Sequence, residues 1–137
     1  MSIAINHVHI RSLDPHASAA WYEKHFNAKK VFDAEVTPGS ITIVMQLGGS
    51  ATLNISSQPK GASQKTAVAE LNHLGLEHFG FVVDDLKAMV DRLETDGVRI
   101  VQPFTDVPGK TRLAYIEGPD GVLIELNQPY LNPANQD

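Results

Sequence analysis

Two histidines and two polar residues set in apolar stretches recur at one spacing in this chain of 137 residues. His7 and His78 lie 71 residues apart, and so do Asn54 and Glu125. Imidazole and carboxylate groups are ligands for divalent transition metals, and both can move protons in general acid–base catalysis. A single histidine within an apolar run is more often a satisfied core residue, so it is the shared spacing that indicates a site.

The same offset of 71 residues relates Asp14 to Asp85, each placed at the expected start of a helix. Two copies at so long a period predict a duplicated module and not a solenoid. Each module is expected to have the element order β-α-β-β-β, within a single domain formed by the whole chain. The divisions are module one at 3–57, a polar linker at 58–74, module two at 75–128 and a C-terminal arm at 129–137.

Composition limits the classes of partner and of metal site. The formal net charge of −5 and the pI near 5.6 argue against nucleic acid or an anionic membrane as the main partner. The chain has no cysteine, so any metal must be held by histidine, carboxylate, amide or water. The sequence does not open on a signal-peptide pattern, and no apolar run reaches about 20 residues. We therefore expect a cytoplasmic protein that acts on a small molecule.

Module one is predicted to begin with a strand over residues 3–11, in which alternation puts His7 and His9 on one face. The Asp-Pro pair at Asp14 is typical of a helix start, and Asn27 is typical of a left-handed helix end. Turn-forming residues then separate three further strands, predicted at Lys30–Val36, Ser40–Leu47 and Ala51–Ser56.

Module two is predicted to repeat this order. His78 is placed on its first strand, and alternation puts Glu77 on the opposite face. Asp84 or Asp85 is expected to cap a helix that ends at Gly97. The remaining expectations are a helical turn or an arm at Ala67–Leu74, strands at Val98–Gln102, Lys110–Ile116 and Val122–Asn127, and a loop at Pro103–Gly109.

Three segments carry a resemblance to a known family over roughly residues 3–128. They are Asn6-His7-Val8, Gly75-Leu-Glu-His78 and the run Gly118-Pro-Asp-Gly-Val-Leu-Ile-Glu125-Leu. In these segments the chain resembles the vicinal oxygen chelate superfamily, which includes glyoxalase I, methylmalonyl-CoA epimerase, extradiol dioxygenases and bleomycin-resistance proteins. The resemblance implies an α+β fold in which two βαβββ modules form a cup-shaped mixed sheet around one divalent metal.

In metal-using members of that superfamily, the ligands come from the first and last strands of each module. Carried over to this chain, these positions are His7, Asn54, His78 and Glu125. Two imidazoles with one carboxylate suit Fe, Mn, Ni, Co or Zn. Asn54 stands where glyoxalase I has Glu and the epimerase has Gln, and its shorter side chain can leave a water in the ligand position. A His-His-Glu triad without Asn54 would match the extradiol dioxygenases.

Five further residues are candidates for catalysis or for contact with substrate. His9 shares the face of the first histidine and can act as a base, as a partner to a ligand or as a substrate contact. Thr42 and Gln46 share one face of the third strand, and Thr42 stands where the epimerase has a carboxylate base, which argues against that mechanism. Arg112, which can hold an anionic group, and Tyr115 lie on the corresponding strand of module two, on opposite faces because they are three residues apart.

The resemblance implies a divalent-metal-dependent enzyme that binds its substrate through adjacent oxygens. The epimerase-like segments favour a lyase or isomerase of the glyoxalase/epimerase type. Two alternatives remain open: an Fe(II) extradiol-type dioxygenase, and a binding protein of the bleomycin-resistance type without turnover. Proteins of the binding type generally lack the ligands, so the presence of His7, His78 and Glu125 argues against that alternative. A homodimer, with or without exchange of modules, is expected from the resemblance alone.

Overall fold

A computed structural model describes residues 1–130, which form eight strands, two α-helices and one short 3₁₀ turn. In chain order the elements are β1 (His7–Ser12), α1 (Pro15–Phe26), β2 (Lys29–Thr37), β3 (Ser40–Gln46), β4 (Thr52–Ser57), β5 (Phe79–Val82), α2 (Leu86–Thr95), β6 (Ile100–Val107), β7 (Thr111–Gly118), the 3₁₀ turn (Pro119–Gly121) and β8 (Val122–Pro129). The chain divides into two compact units, unit 1 (Met1–Thr66) and unit 2 (from Ala67 onward). Each unit has the order β-α-β-β-β, which confirms the predicted α+β fold built from two such modules. Within residues 1–130, no helix is both long enough and apolar enough to cross a membrane.

Unit 1 is a four-stranded sheet in the order β1-β4-β3-β2, with β1 parallel to β4 and the other pairs antiparallel. Alternate side chains point to opposite faces of a strand, so every second residue meets α1. This apolar face and the helix bury Ile10, Tyr22, Ile43, Met45, Leu53 and Ile55. Burial of side chains of this size stabilises the fold by about 1.5–3 kcal/mol each. The apolar packing on one face therefore fixes the polar side chains of the other.

The start and end of α1 follow the sequence pattern. A carboxylate oxygen of Asp14 accepts a hydrogen bond from the backbone N–H of Ala17 at 3.1 Å. Asn27 ends the helix in the left-handed conformation, with φ 55°. Both features confirm the prediction, because each supplies a partner or a backbone geometry that a helix end requires.

Unit 2 repeats the arrangement with the strand order β5-β8-β7-β6. Helix α2 packs on one face of this sheet, and the core contains Leu86, Val90, Leu93, Ile116, Ile124 and Leu126. Asp85, and not Asp84, caps α2, because its carboxylate accepts from the backbone N–H of Ala88 at 3.1 Å. The helix ends at Thr95, and Gly97 follows with φ 82°.

Several predicted boundaries in unit 2 were wrong. The predicted loop at Pro103–Gly109 is largely strand, since β6 continues to Val107 across a register shift between Gln102 and Thr105. Proline is tolerated at such an irregularity because no ladder hydrogen bond is required of its nitrogen there. Ala67–Leu74 contains no helical turn. At the other end, β8 extends to Pro129, and residues 131–137 of the predicted arm lie outside the described part of the chain.

The turn before β8 passes close to the start of unit 2. Gly121 has φ +69°, and a Cβ built on it would lie 1.9 Å from the backbone oxygen of Ala67. Arg99 reaches the same segment and donates to the backbone oxygen of Ala69 at 3.2 Å. Glycine is therefore required at position 121 by both backbone conformation and space.

Candidate functional site

The two units use the same strand register at the predicted ligand positions. In unit 1, Asn54 of β4 is paired with His9 of β1 and with Val44 of β3. In unit 2, Glu125 of β8 is paired with Gly80 of β5 and with Tyr115 of β7. Every partner in unit 2 is 71 residues after its counterpart in unit 1. Asn54 and Glu125 therefore occupy equivalent places, each on the sheet face that is not packed by a helix.

His78 and Glu125 meet on this face of unit 2. Nε2 of His78 lies 3.1 Å from Oε2 of Glu125, and the two side chains are 26% and 19% exposed. Metal–nitrogen and metal–oxygen bonds of 2.0–2.2 Å, set roughly at right angles, place two ligand atoms about 3 Å apart. The observed separation therefore fits two neighbouring ligands of a divalent cation.

The carboxylate of Glu125 is held in place by its neighbours. Oε1 of Glu125 accepts a hydrogen bond from Nδ2 of Asn127 at 3.0 Å. Oδ1 of Asn127 in turn accepts from the hydroxyl of Thr111 at 2.7 Å. These bonds fix one carboxylate oxygen and leave the other directed at His78, an orientation that suits a ligand.

The imidazole of His78 is held from its other side by Glu77. Nδ1 of His78 donates to Oε1 of Glu77 at 2.8 Å. The prediction that Glu77 faces away from His78 was therefore wrong. His78 lies one residue before β5, so strand alternation does not govern the pair. The hydrogen bond to His78, followed by that from the backbone of Asn72, lowers the pKa of Glu77 below its ordinary value.

Tyr115 packs its ring edge-on against His78, with 5.0 Å between the ring centroids and 80° between the planes. Burial, and then the nearby charges of Glu125 and Glu77, raise the pKa of the Tyr115 hydroxyl above its usual value of 10.0. The phenol is therefore protonated at neutral pH and can donate a hydrogen bond. The packing agrees with the predicted position of Tyr115 on the face of the candidate site.

In unit 1, three side chains form a hydrogen-bonded row across the sheet. Nε2 of His9 lies 2.9 Å from the hydroxyl of Ser56, and that hydroxyl lies 2.8 Å from the hydroxyl of Thr42. Burial, and then the charges of Arg11 and His7, lower the pKa of His9 below its ordinary value of 6.5. His9 is therefore a neutral imidazole at pH 7 and can accept a proton. Sequence analysis missed Ser56, although it is two residues after Asn54 and so shares its face.

His7 and Asn54 lie on the same face of unit 1 as this row. His7 is the first residue of β1 and is exposed, and its Nδ1 contacts Oδ1 of Asn6. The amide oxygen of Asn54 accepts from the hydroxyl of Thr52 at 2.9 Å. Gln46 pairs with Thr52 at the exposed end of β3. The candidate residues of unit 1 thus share one polar face, as alternation predicted.

Arg112 lies on the other face of β7, away from Tyr115. Its guanidinium carbon is 4.1 Å from the centre of the Tyr130 ring. Arg112 and Tyr130 line a cavity of about 540 Å³ together with Asp84, Gln128 and their neighbours. A substrate contact by Arg112 stays a prediction, and Arg112 does not share the face that carries His78 and Glu125.

The predicted ligands occur as one pair in each unit. Among residues 1–130, no cluster of three or more His, Cys, Asp or Glu side chains is arranged to hold a metal ion. The donor types and the spacing of the His78–Glu125 pair nevertheless fit a divalent cation, as described above. Coordination by all of the predicted ligands remains a prediction.

Comparison with known proteins places this arrangement in context. The family model of the Glyoxalase/Bleomycin resistance protein/Dioxygenase superfamily matches residues 4–126. The lactoylglutathione lyase of Pseudomonas aeruginosa is 26% identical over 148 residues, which cover 93% of this chain and 83% of the lyase.

Solved structures show the same fold at low sequence identity. The glyoxylase/bleomycin resistance protein/dioxygenase domain from Frankia sp. EAN1pec has a TM-score of 0.77 at 17% identity, covering 94% of this chain and 99% of that domain. TnmS3, an antibiotic binding protein from Streptomyces sp. CB03234, has a TM-score of 0.71 at 20% identity, covering 94% of this chain and 98% of that protein. Because an antibiotic binding protein has this fold, the function must be argued from the site residues.

Proposed function

The chain belongs to the Glyoxalase/Bleomycin resistance protein/Dioxygenase superfamily, and we propose that it is a divalent-metal-dependent lyase or isomerase. The substrate would be a small molecule with oxygens on adjacent carbons. The observation that carries this proposal is the pairing of His78 and Glu125, with 3.1 Å between Nε2 and Oε2. A cation between these atoms would also offset the unfavourable partial burial of the carboxylate.

His7 and Asn54 are the proposed ligands from unit 1. The support is positional, since Asn54 has the same strand register as Glu125 and His7 has the same sequence offset from His78. Two imidazoles, one carboxylate and one amide oxygen suit Fe, Mn, Ni, Co or Zn. In the proposed site Asn54 is the weakest ligand, because an amide oxygen carries no formal charge.

The proposed chemistry divides between the metal and the chain. When bound, a divalent cation polarises substrate oxygens and stabilises the negative charge that develops on them. His9 would move a proton between adjacent substrate carbons, since it is neutral and its Nε2 is held 2.9 Å from Ser56. Tyr115 would donate a hydrogen bond to a substrate oxygen from the face of Glu125.

The similarity to a lactoylglutathione lyase suggests the first substrate class to test. Lactoylglutathione is a 2-hydroxyacyl thioester, so a hydroxyl and a carbonyl oxygen stand on neighbouring carbons. Such a pair can approach one cation together, which is what the proposed site requires. We therefore propose 2-hydroxyacyl thioesters, and compounds that interconvert with them, as substrates.

A dioxygenase is the second candidate, and one contact favours it. The amide oxygen of Asn54 accepts a hydrogen bond from Thr52 at 2.9 Å, so one of its lone pairs is already occupied. If Asn54 does not bind the metal, His7, His78 and Glu125 would form a His-His-carboxylate triad of the kind found in non-haem Fe(II) oxygenases.

Elemental analysis of protein purified without chelator or added metal, with oxygen uptake measured on the same sample, tests these candidates. Nickel, cobalt, manganese or zinc near one atom per chain, without oxygen consumption, supports the lyase or isomerase. Iron together with oxygen uptake on catechol-like compounds supports the dioxygenase. No metal, and none bound on titration, contradicts both and leaves a binding protein. The matched variant is Glu125→Gln, which keeps the size of the side chain and should lower metal content strongly.

A further inference from the structure

We propose that Glu77 is a positioning residue that fixes the ring of His78 as a metal ligand. The inference rests on the proposed function, because it concerns the same metal site. Glu77 would not touch the cation, and its carboxylate would act through the imidazole. The evidence is a chain of contacts within unit 2 that runs from a loop backbone through Glu77 and His78 to Glu125.

The loop before β5 holds the Glu77 carboxylate in one orientation. Oε2 of Glu77 accepts from the backbone N–H of Asn72 at 2.6 Å and from that of His73 at 3.3 Å. Asn72 and Gly75 both have positive φ, at 69° and 86°, so the chain turns back toward Glu77 between them. One carboxylate oxygen is thus anchored by the backbone, and the other is left to meet His78.

The second oxygen selects one form of the imidazole. A carboxylate only accepts hydrogen bonds, so Oε1 of Glu77 at 2.8 Å requires the proton on Nδ1 of His78. The lone pair for a cation must then come from Nε2, the nitrogen 3.1 Å from Glu125. A carboxylate–histidine–metal arrangement of this kind fixes the tautomer and the ring direction and strengthens the ligand.

Glu77 also closes the loop, so a purely structural role has to be separated from positioning. The variant Glu77→Gln retains the size of the side chain and an oxygen that can accept from Asn72 and His73. Its amide nitrogen, however, donates, and a donor facing Nδ1 favours the tautomer with the proton on Nε2. Glu77→Gln should therefore spare the loop and impair the ligand.

The experiment is a titration of the metal-free full-length protein with Co²⁺ alone, followed by calorimetry and by cobalt absorbance. Glu77→Gln should weaken Co²⁺ binding by about 10–100-fold. Glu94→Gln, an exposed change on α2, is the matched control and should bind as the wild type does. The thermal midpoint of each variant is recorded, and Glu77→Asp, which keeps the acceptor on a shorter side chain, should bind between wild type and Glu77→Gln.

A second readout reports on the ring itself. In the Co²⁺-free and Zn²⁺-loaded proteins, ¹⁵N shifts of the His78 ring should show the proton on Nδ1 in the loaded wild type and a changed pattern in Glu77→Gln. Wild-type Co²⁺ affinity and an unchanged ring pattern in Glu77→Gln would overturn the inference while leaving the proposed function intact, provided that Glu125→Gln still weakens binding. Absence of Co²⁺ binding by the wild type would overturn both.

Discussion

Gly80 of unit 2 occupies the strand position that His9 occupies in unit 1. Gly80 pairs with Glu125 between β5 and β8, and His9 pairs with Asn54 between β1 and β4. The duplicated modules therefore differ beside equivalent ligand positions. Unit 1 has an imidazole there, whereas unit 2 has no side chain, and a Cβ built on Gly80 would lie 3.6 Å from Oε2 of Glu125.

Filling this space should interfere with metal binding at Glu125. We expect Gly80→His to lower Co²⁺ affinity by about 10-fold or more, because the added ring would crowd or bond the carboxylate oxygen that faces His78. Gly80→Ala is the matched control, since its Cβ would make only ordinary contacts of 3.5–3.6 Å. Both are measured by Co²⁺ titration, and equal affinity for Gly80→His and the wild type would show that this carboxylate oxygen is not a ligand.

His9 should be needed for turnover and not for metal binding. We expect His9→Gln to reduce kcat by about 10²–10⁴-fold, as is typical for loss of a general base, with Co²⁺ affinity nearly unchanged. The assay follows a 2-hydroxyacyl thioester with metal content measured on the same sample. Ser56→Ala should give a smaller loss, because it removes the hydroxyl that holds Nε2 of His9 at 2.9 Å but keeps the imidazole. A His9→Gln variant with wild-type kcat would remove His9 from the mechanism.

Much of the fold was predictable because local signals decide it. The caps at Asp14 and Asp85 follow from backbone donors that a helix start leaves open, and both are present in the structure. The constant offset also predicted that Asn54 and Glu125 are equivalent, since duplicated strands keep their register. The polar face followed from alternation once the strands were placed.

Other features depend on neighbours that the sequence does not reveal. Glu77 was misplaced because alternation was extended one residue beyond the strand, where the loop at Asn72 decides the side-chain direction. The strand through Pro103 was missed because its register shift depends on pairing with β7. Ser56 carried no signal of its own, and only its contacts with His9 and Thr42 give it a place in the site.

Gly121 should be essential for the stability of unit 2. Gly121→Ala forces a side chain into a left-handed backbone and against the carbonyl of Ala67, where the built Cβ lies only 1.9 Å from the oxygen. We expect the free energy of unfolding to fall by about 2–5 kcal/mol, as measured by urea denaturation. Gly109→Ala is the control, because φ is +73° but no atom lies within 4 Å, so it should show the backbone strain alone. Equal losses in the two variants would contradict the steric argument.

Asn54 should become a stronger ligand when it is given a carboxylate. We expect Asn54→Glu to raise Co²⁺ affinity by about 10-fold or more, since a charged and longer side chain replaces an amide at the position equivalent to Glu125. Asn54→Gln supplies the length without the charge and should have a smaller effect. Unchanged affinity in both variants would exclude this position as a ligand and favour the His-His-Glu triad.

The protein should be a homodimer, and its exposed apolar residues support this expectation. Ile5 of unit 1 is 80% exposed, and Leu76 and Val82 of unit 2 are 86% and 76% exposed. β1 and β5 are edge strands of their sheets, and such edges with exposed apolar side chains are typical of surfaces that associate. Light scattering after size-exclusion chromatography should give twice the chain mass for the wild type and a lower mass for Leu76→Glu. Val36→Glu, an exposed change on β2, should remain dimeric, and a monomeric wild type at high protein concentration would contradict the prediction.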